Sequence, residues 1–390
     1  MAGGPRLTPL ELLARLVAFD TESSRSNLAL VAWVEAYVDA WGVASLRAPN
    51  AAGDKAALFA TIGPAGQGGV LLSGHTDVVP VAGQSWSADP FTLRVADGRA
   101  YGRGAVDMKG FCALVLALVP ELVAAPLRVP VHVLLSYDEE TTCLGSLDVV
   151  SRLGRDLPRP RAVIVGEPTE LAVADAHKSV ATFHTTVHGR EAHSSKPALG
   201  ANAVAAAAEL VCELNRIGDE WAARGDASGR FDPPHSTLHV GTIQGGTARN
   251  ILAGRCEFHW EERGVPGLDL GEAPRRLAAF AEGVAARRLN RHGPYGRVET
   301  VLEVEVPGLA PEPGSAAERL GLRLAGASRA VTVPYATEAG RFQGAGLPTI
   351  VCGPGSIDQA HQPDEFITLD ELARGEAYLR RLLAWCRDGV

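Results

Sequence analysis

The run Val70-Leu71-Leu72-Ser73-Gly74-His75-Thr76-Asp77-Val78-Val79-Pro80 decides how this chain is read. Its uninterrupted apolar start has the character of a strand buried on both faces, and a glycine followed by His75 and Asp77 stands where that strand would end. Three further segments repeat the arrangement. Val131 to Tyr137 runs into Asp138-Glu139-Glu140, Ala162 to Gly166 runs into Glu167, and Thr349 to Gly353 leads through Pro354-Gly355-Ser356 to His361. Helix-period segments lie between and around them, at Pro9 to Phe19, Ala29 to Trp41, Gly110 to Val123 and Leu369 to Trp385. Helices alternating with doubly buried strands predict an α/β domain. Ligands of open α/β sheets collect at the carboxyl ends of strands, so four such ends bearing His, Asp and Glu predict one shared site. Asp107 joins them from the turn Tyr101 to Asp107, just ahead of the Gly110 helix.

The middle of the chain has a different pattern, because its strands alternate in polarity. Strands are predicted at Val180 to His188, Ser236 to Thr242, Arg255 to Glu262 and Val298 to Val306, with helices at Ala201 to Ile217 and Ala273 to Leu289. That order is βαββαβ, a ferredoxin-like motif. The expected layout is a discontinuous catalytic α/β domain, 1-178 and 309-390, interrupted by an inserted α+β domain at 179-308.

Composition limits the function classes. With 390 residues, 46% hydrophobic and 21% charged, the chain matches ordinary globular proteins and is long enough for two domains. Its 37 basic against 45 acidic side chains leave a net charge of −8, with no basic run, so neither a nucleic-acid nor an anionic-membrane partner is expected. In the first twenty residues Glu11 and Arg15 interrupt the apolar residues and make an amphipathic helix, so a signal peptide is not expected, and the longest apolar stretch, Phe111 to Val119, is too short to span a bilayer. Cys112, Cys143, Cys212, Cys256, Cys352 and Cys386 lie far apart without a CxxC pair, which reads as buried reduced thiols and a cytoplasmic location.

Each candidate residue has a plain structural alternative when taken alone: a satisfied histidine, a helix-capping Asp77, a turn Asp107, a solvated Glu139-Glu140 loop. Their joint occurrence at successive strand ends favours a metal site. Two histidines and three carboxylates, His75, Asp107, Glu140, Glu167 and His361, suit a borderline divalent ion such as Zn²⁺. Five ligands exceed what one catalytic tetrahedral zinc needs and instead suit two ions sharing a bridging carboxylate. Asp77 is placed to accept the ring N–H of His75 and fix its tautomer. Of the adjacent glutamates, one can be a ligand while the other remains free as a general base.

The motifs GHTDVVP at 74–80, YGRGAVDMKG at 101–110, DEE at 138–140, GEPT at 166–169, HGREAHSS at 188–195 and GGTARN at 245–250 resemble the di-zinc deacylases and exopeptidases. That family includes acetylornithine deacetylases, succinyl-diaminopimelate desuccinylases, aminoacylases and glutamate carboxypeptidases. The resemblance spans essentially the whole chain, and YATEAGRFQGAGLPTIVCGPGSIDQAHQPDEF at 335–366 is most similar to the acetylornithine deacetylase branch. It implies two Zn²⁺ per subunit, with Co²⁺ or Mn²⁺ as substitutes: His75 and Glu167 on one ion, Glu140 and His361 on the other, Asp107 bridging. It further implies that Glu139 is the general base of amide hydrolysis, that the inserted domain serves as a dimerisation and lid domain, and that the chain forms a homodimer in which His193 reaches the partner's active site to stabilise the oxyanion. For substrate contacts it points to Asn250, and to Glu338 in the TEA motif as active-site wall or amine pocket; the neighbouring Arg249, where the family often has a small or apolar residue, is able to pair with a carboxylate bidentately. Trp260 to Gly267 departs from the family pattern D-x-R-x-x-P-G and bears on substrate contacts alone. The expected reaction is hydrolysis of N-acetyl-L-ornithine in arginine biosynthesis. The alternatives are a related N-acyl-amino-acid deacylase, desuccinylase or dipeptidase, and a non-catalytic binding homologue, against which the complete ligand set speaks. A serine or cysteine hydrolase is disfavoured because no GxSxG elbow is present.

Overall fold

Residues 3–66 and 68–389 are described by the structure, a computed structural model. In chain order its first part holds α1 (Pro9–Val17), α2 (Leu28–Asp39), β1 (Ser45–Pro49), β2 (Ala56–Ile62), β3 (Val70–His75), the short β4 (Arg94–Ala96) and β5 (Arg99–Tyr101), α3 (Lys109–Ala124), β6 (Val131–Ser136), α4 (Leu147–Arg152), β7 (Ala162–Pro168) and β8 (Ala174–His177). The middle holds β9 (Ser179–His188), α5 (Ala203–Arg224), β10 (Thr237–Gly245), β11 (Arg255–Gly264), α6 (Glu272–Val284) and β12 (Arg297–Val306). The last part adds α7 (Ala316–Ala325), β13 (Val331–Val333), α8 (Ala339–Gly344), β14 (Thr349–Gly353), β15 (Phe366–Thr368) and α9 (Leu369–Asp388). These elements form two compact units: residues 1–176, 309–333 and 337–390, and residues 177–308 with 334–336. The tripeptide Pro334–Ala336 thus groups with the second unit, outside the 179-308 span suggested by sequence.

The first unit is built on a mixed eight-stranded sheet, ordered β1-β2-β6-β3-β7-β14-β8-β13. Its centre, β6-β3-β7-β14, is parallel throughout and comprises the four segments read from sequence as doubly buried strands. Every residue of β3, β6, β7 and β14 is buried, as strands covered on both faces require. The flanking strands escaped the sequence reading; of these β1, β2 and β8 run antiparallel to the neighbours β2, β6 and β14. The β2 segment, AALFATI, is alanine-rich and lacks the β-branched run that marks a strand; its burial comes from its place in the sheet.

Close helix packing explains the glycines that precede two of the ligands. A Cβ at Gly166 would stand 2.2 Å from the Phe111 ring, and one at Gly74 would stand 2.9 Å from Cys112 Sγ. Both neighbours belong to α3, which is apolar nearly all round, so that helix lies directly against the ends of β3 and β7.

The second unit has a four-stranded antiparallel sheet, ordered β10-β11-β9-β12. The first and third strands of its βαββαβ order are central and the second and fourth are edges, the ferredoxin-like arrangement. Cys256, Phe258 and Trp260 alternate with solvent-facing residues along β11, and Trp260 stacks on Phe183 with centroids 4.1 Å apart. The helix expected to run to Leu289 ends at Val284 and continues as a π-helical turn over Ala285–Leu289.

All six cysteines are free; five are buried, but Cys212 is exposed, which corrects the expectation that all six would be buried. Among the described residues, no helix is long and apolar enough to cross a membrane.

Candidate metal centre

The carboxyl ends of the parallel strands of the first unit converge. β3 ends in His75, β6 leads into Asp138-Glu139-Glu140, β7 carries Glu167 near its end, and the loop after β14 carries His361. His75 Nε2 lies 3.0 Å from Asp107 Oδ1, 3.7 Å from Glu167 Oε1 and 3.9 Å from Glu139 Oε2. His361 Nε2 lies 2.9 Å from Glu140 Oε2 and 3.1 Å from Asp107 Oδ2. Asp107 therefore faces the two histidines with different oxygens. Two groups of donor atoms, His75–Asp107–Glu140 and His75–Glu139–Glu167, are each compact enough to surround an ion.

The donors fit divalent metal on electrostatic grounds. Asp107, Glu139, Glu140 and Glu167 are four nearly enclosed carboxylates with two histidines between them. Packed acids of this kind are unfavourable unless cations compensate them. Burial pushes Glu139 up to about 8 despite the attraction of His75, with repulsion from Glu140, Asp107 and Asp77 acting in the same direction as burial. Burial and the charge of Asp107 likewise push Glu140 up to about 7. Glu167 is raised well above the usual carboxylate range by burial and by Asp107 and Glu139, and its Oε1 has no hydrogen-bond partner. Bonds from His361 and His75 overcome burial at Asp107 and hold it well below its ordinary value. In return, bonds to Asp107 and then Glu140 raise His361 to about 10. Burial opposes protonation of His75, yet Glu167, Asp107 and Asp77 together raise it well above the histidine range.

The surrounding side chains show how the cluster is held. The closest partner of His75 Nδ1 is the main-chain O of Asp77, at 2.9 Å, while the Asp77 carboxylate stands at 3.6 Å. That modifies the sequence expectation: the carboxylate chiefly accepts from Ser23 Oγ at 2.7 Å and from the amides of Glu139 and Glu140 at 3.2 and 3.3 Å. Asp77 thus orients the acidic loop at least as directly as the histidine. Asp138, in a left-handed conformation with φ of 55°, turns that loop and is bound by Lys55.

Two contributors were not foreseen from sequence. Glu365 is fully enclosed and accepts from Arg103 Nη1 at 2.8 Å and from the amides of Gly104, Val106 and Asp107 at 3.1, 2.9 and 3.2 Å. It clamps the turn that presents Asp107. Its signal was the acidic end of HQPDEF, which alone looks like a solvated loop. Cys143 Sγ lies 3.4 Å from Glu139 Oε1, and burial raises its thiol well above the usual range, which keeps it a neutral neighbour.

The substrate-contact candidates fall in both units. Glu338 is 1% exposed, and its Oε1 accepts from Ser73 Oγ at 2.5 Å. It is an enclosed carboxylate of the first unit, raised by burial and lowered in part by its bonds to Ser73 and Ser136. His193, Arg249 and Asn250 belong to the second unit and are exposed. There His193 pairs across a β-bridge with Ile251, the Asn250 carbonyl accepts from Ser194 N at 3.0 Å, and His193 Nδ1 lies 2.7 Å from Ser195 Oγ.

Comparison with known proteins extends these observations. The model of peptidase family M20/M25/M40 matches residues 71–385. An acetylornithine deacetylase of Pasteurella multocida (strain Pm70) is 35% identical over 382 residues, covering 96% of this chain and 97% of that protein. Another, of Proteus mirabilis (strain HI4320), is 35% identical over 370 residues, covering 93% of this chain and 92% of that one. A metallo-carboxypeptidase from Sulfolobus solfataricus matches the fold with a TM-score of 0.76 at 18% identity, covering 98% of this chain and 100% of that structure.

Proposed function

The chain belongs to peptidase family M20/M25/M40, and from that membership we propose that it removes acetate from N-acetyl-L-ornithine, releasing L-ornithine in arginine biosynthesis in the cytoplasm. It is a metal-dependent hydrolase acting on amide bonds. The similarity to two acetylornithine deacetylases, 35% identity over nearly the full length, is the observation that carries the choice of substrate.

In this reading His75 and Glu167 hold one Zn²⁺, Glu140 and His361 hold a second, and Asp107 serves both; Co²⁺ or Mn²⁺ suits the same donors. Bound ions would supply Lewis acidity toward the acyl carbonyl and make water a better nucleophile near neutral pH. Glu139 takes the proton from the attacking water and returns it to the departing amine, a transfer its buried position against Cys143 keeps from leaking to solvent. Asp77 holds Glu139 in place through its amide. Asn250 and Arg249 receive the substrate carboxylate, and His193 stabilises the oxyanion from the partner of a homodimer formed through the inserted unit.

The test is amine release from N-acetyl-L-ornithine, N-succinyl-diaminopimelate and a dipeptide panel, before and after chelation and zinc return. A chelator-sensitive preference for acetylornithine supports the proposal, whereas metal-dependent cleavage of another member keeps the chemistry and removes the substrate. Glu139→Gln should retain metal while turnover falls by about two to four orders of magnitude. Unchanged turnover in that variant would remove the base assignment.

A further inference from the structure

We propose that the open face of the second unit's sheet carries a transition-metal site of its own, formed by His184, His259 and Glu303 with Glu257 at its margin. His184 on β9 and His259 on β11 are directly opposed across neighbouring strands. Both point to the solvent side, since Phe183, Thr185, Phe258 and Trp260, which flank them in sequence, are buried on the other. Their rings lie parallel within 2°, with centroids 4.3 Å apart.

The register of β12 brings in the third donor. Val301 pairs with His184, and the register slips between Leu302 and Val304, leaving Glu303 as the extra residue of a bulge. Bulges re-aim side chains, and this one sets Glu303 Oε2 3.4 Å from His259 Nδ1. One donor atom each from His184, His259 and Glu303 lie within 4.8 Å of one another. Glu257 Oε2 is 3.5 Å from His184 Nε2 but is also held by Arg255 at 2.6 Å, which makes Glu303 the better placed carboxylate.

His184 Nε2 is shielded from solvent, and the carboxylate within 3.5 Å of it, Glu257, is already engaged by Arg255, so a cation is a fitting partner for its lone pair. Two imidazoles and a carboxylate select Zn²⁺, Ni²⁺ or Cu²⁺ over Mg²⁺ or Ca²⁺. Donors bound to tetrahedral zinc at about 2.0–2.1 Å stand roughly 3.4 Å apart. Side-chain rotation of the half-exposed His259 and Glu303 can close the remaining ångström or so. The ion would tie β11, β9 and the edge strand β12 together, using none of the donors of the first unit.

The experiment measures zinc per chain in the full-length protein equilibrated with micromolar free Zn²⁺. The set is wild type, the double variant His184→Gln/His259→Gln, Glu303→Gln, and His361→Ala. The double variant should bind one zinc fewer per chain with amide hydrolysis unchanged, and Glu303→Gln should bind that zinc at least tenfold more weakly. His361→Ala, which disturbs the other cluster, should keep it. Because the donor sets are separate, failure here leaves the hydrolase reading intact, and loss of hydrolysis alone leaves this site intact. Equal zinc in the double variant and the wild type overturns the proposal, as does loss of all zinc in His361→Ala.

Discussion

Glu262 offers the most quantitative prediction. It lies on the helix-covered face of β11, is 0% exposed, and neither carboxylate oxygen has a hydrogen-bond partner. Burial, and then the charges of Asp269, Glu272 and Glu305, push it up to about 8 from an ordinary value of 4.5. Below the ordinary value the group is protonated whether the chain is folded or unfolded and has no effect. Between about 4.5 and about 8 the unfolded chain releases the proton while the folded one keeps it, so stability falls as pH rises. Each pH unit corresponds to about 1.4 kcal/mol, which sets a ceiling of about 5 kcal/mol at pH 8 and above; side-chain relaxation brings the expected value nearer 3 kcal/mol. Glu262→Gln should therefore flatten the decline between pH 5 and 8, and Glu262→Met, which also removes the unpartnered polar atoms, should add stability throughout. For a unit of this size about 3 kcal/mol corresponds to roughly 6–12 °C in the midpoint of its unfolding transition. The assay is thermal unfolding of the full-length protein, wild type beside each variant, at half-unit steps of pH. Parallel profiles for wild type and Glu262→Gln would refute the reasoning, since the slope assigned to this carboxyl would then arise elsewhere.

Other perturbations test the metal centre and its supports. Glu365→Gln leaves the Arg103 guanidinium with a neutral partner in a fully enclosed place. It should lower stability by about 3 kcal/mol, and metal affinity should fall at least tenfold because the Asp107 turn loosens; isothermal titration with Zn²⁺ reads the second effect, and an unaltered affinity would limit Glu365 to folding. Gly166→Ala drives a methyl into the Phe111 ring and should destabilise the first unit by about 1–3 kcal/mol, whereas normal stability would show that α3 can move away from the sheet. Chelation should abolish hydrolysis and lower the melting temperature, because four crowded carboxylates are left to share protons, and zinc should restore both. Full activity after exhaustive chelation would dismiss the metal reading.

Much of the fold was legible because its signals are local. Four short apolar runs, each leading to a potential ligand, become the parallel centre of the sheet, and alternation in the middle of the chain becomes a sheet with one covered face. The strands that escaped notice were β2, whose alanine-rich segment is buried by its neighbours, and short edge pieces such as β13, whose three residues carry no period of their own. Ligand identities could be proposed at the same stage, because strand ends gather in space whatever the order of the strands.

Residue types, spacing and periodicity by themselves determined the α/β class, the inserted βαββαβ segment and the side chains at the strand ends. Only the tertiary structure decided how those side chains are supported. It places the main-chain O of Asp77 nearer than its carboxylate to His75, and makes Glu365 a clamp on the Asp107 turn from 258 residues away. It encloses Glu338 beside Ser73, and it stacks His184 on His259. The physical reason is that a strand's face and end follow from its own few residues, whereas a hydrogen bond or a stacked pair between distant segments depends on sheet order and register, which are set by the packing of the whole chain.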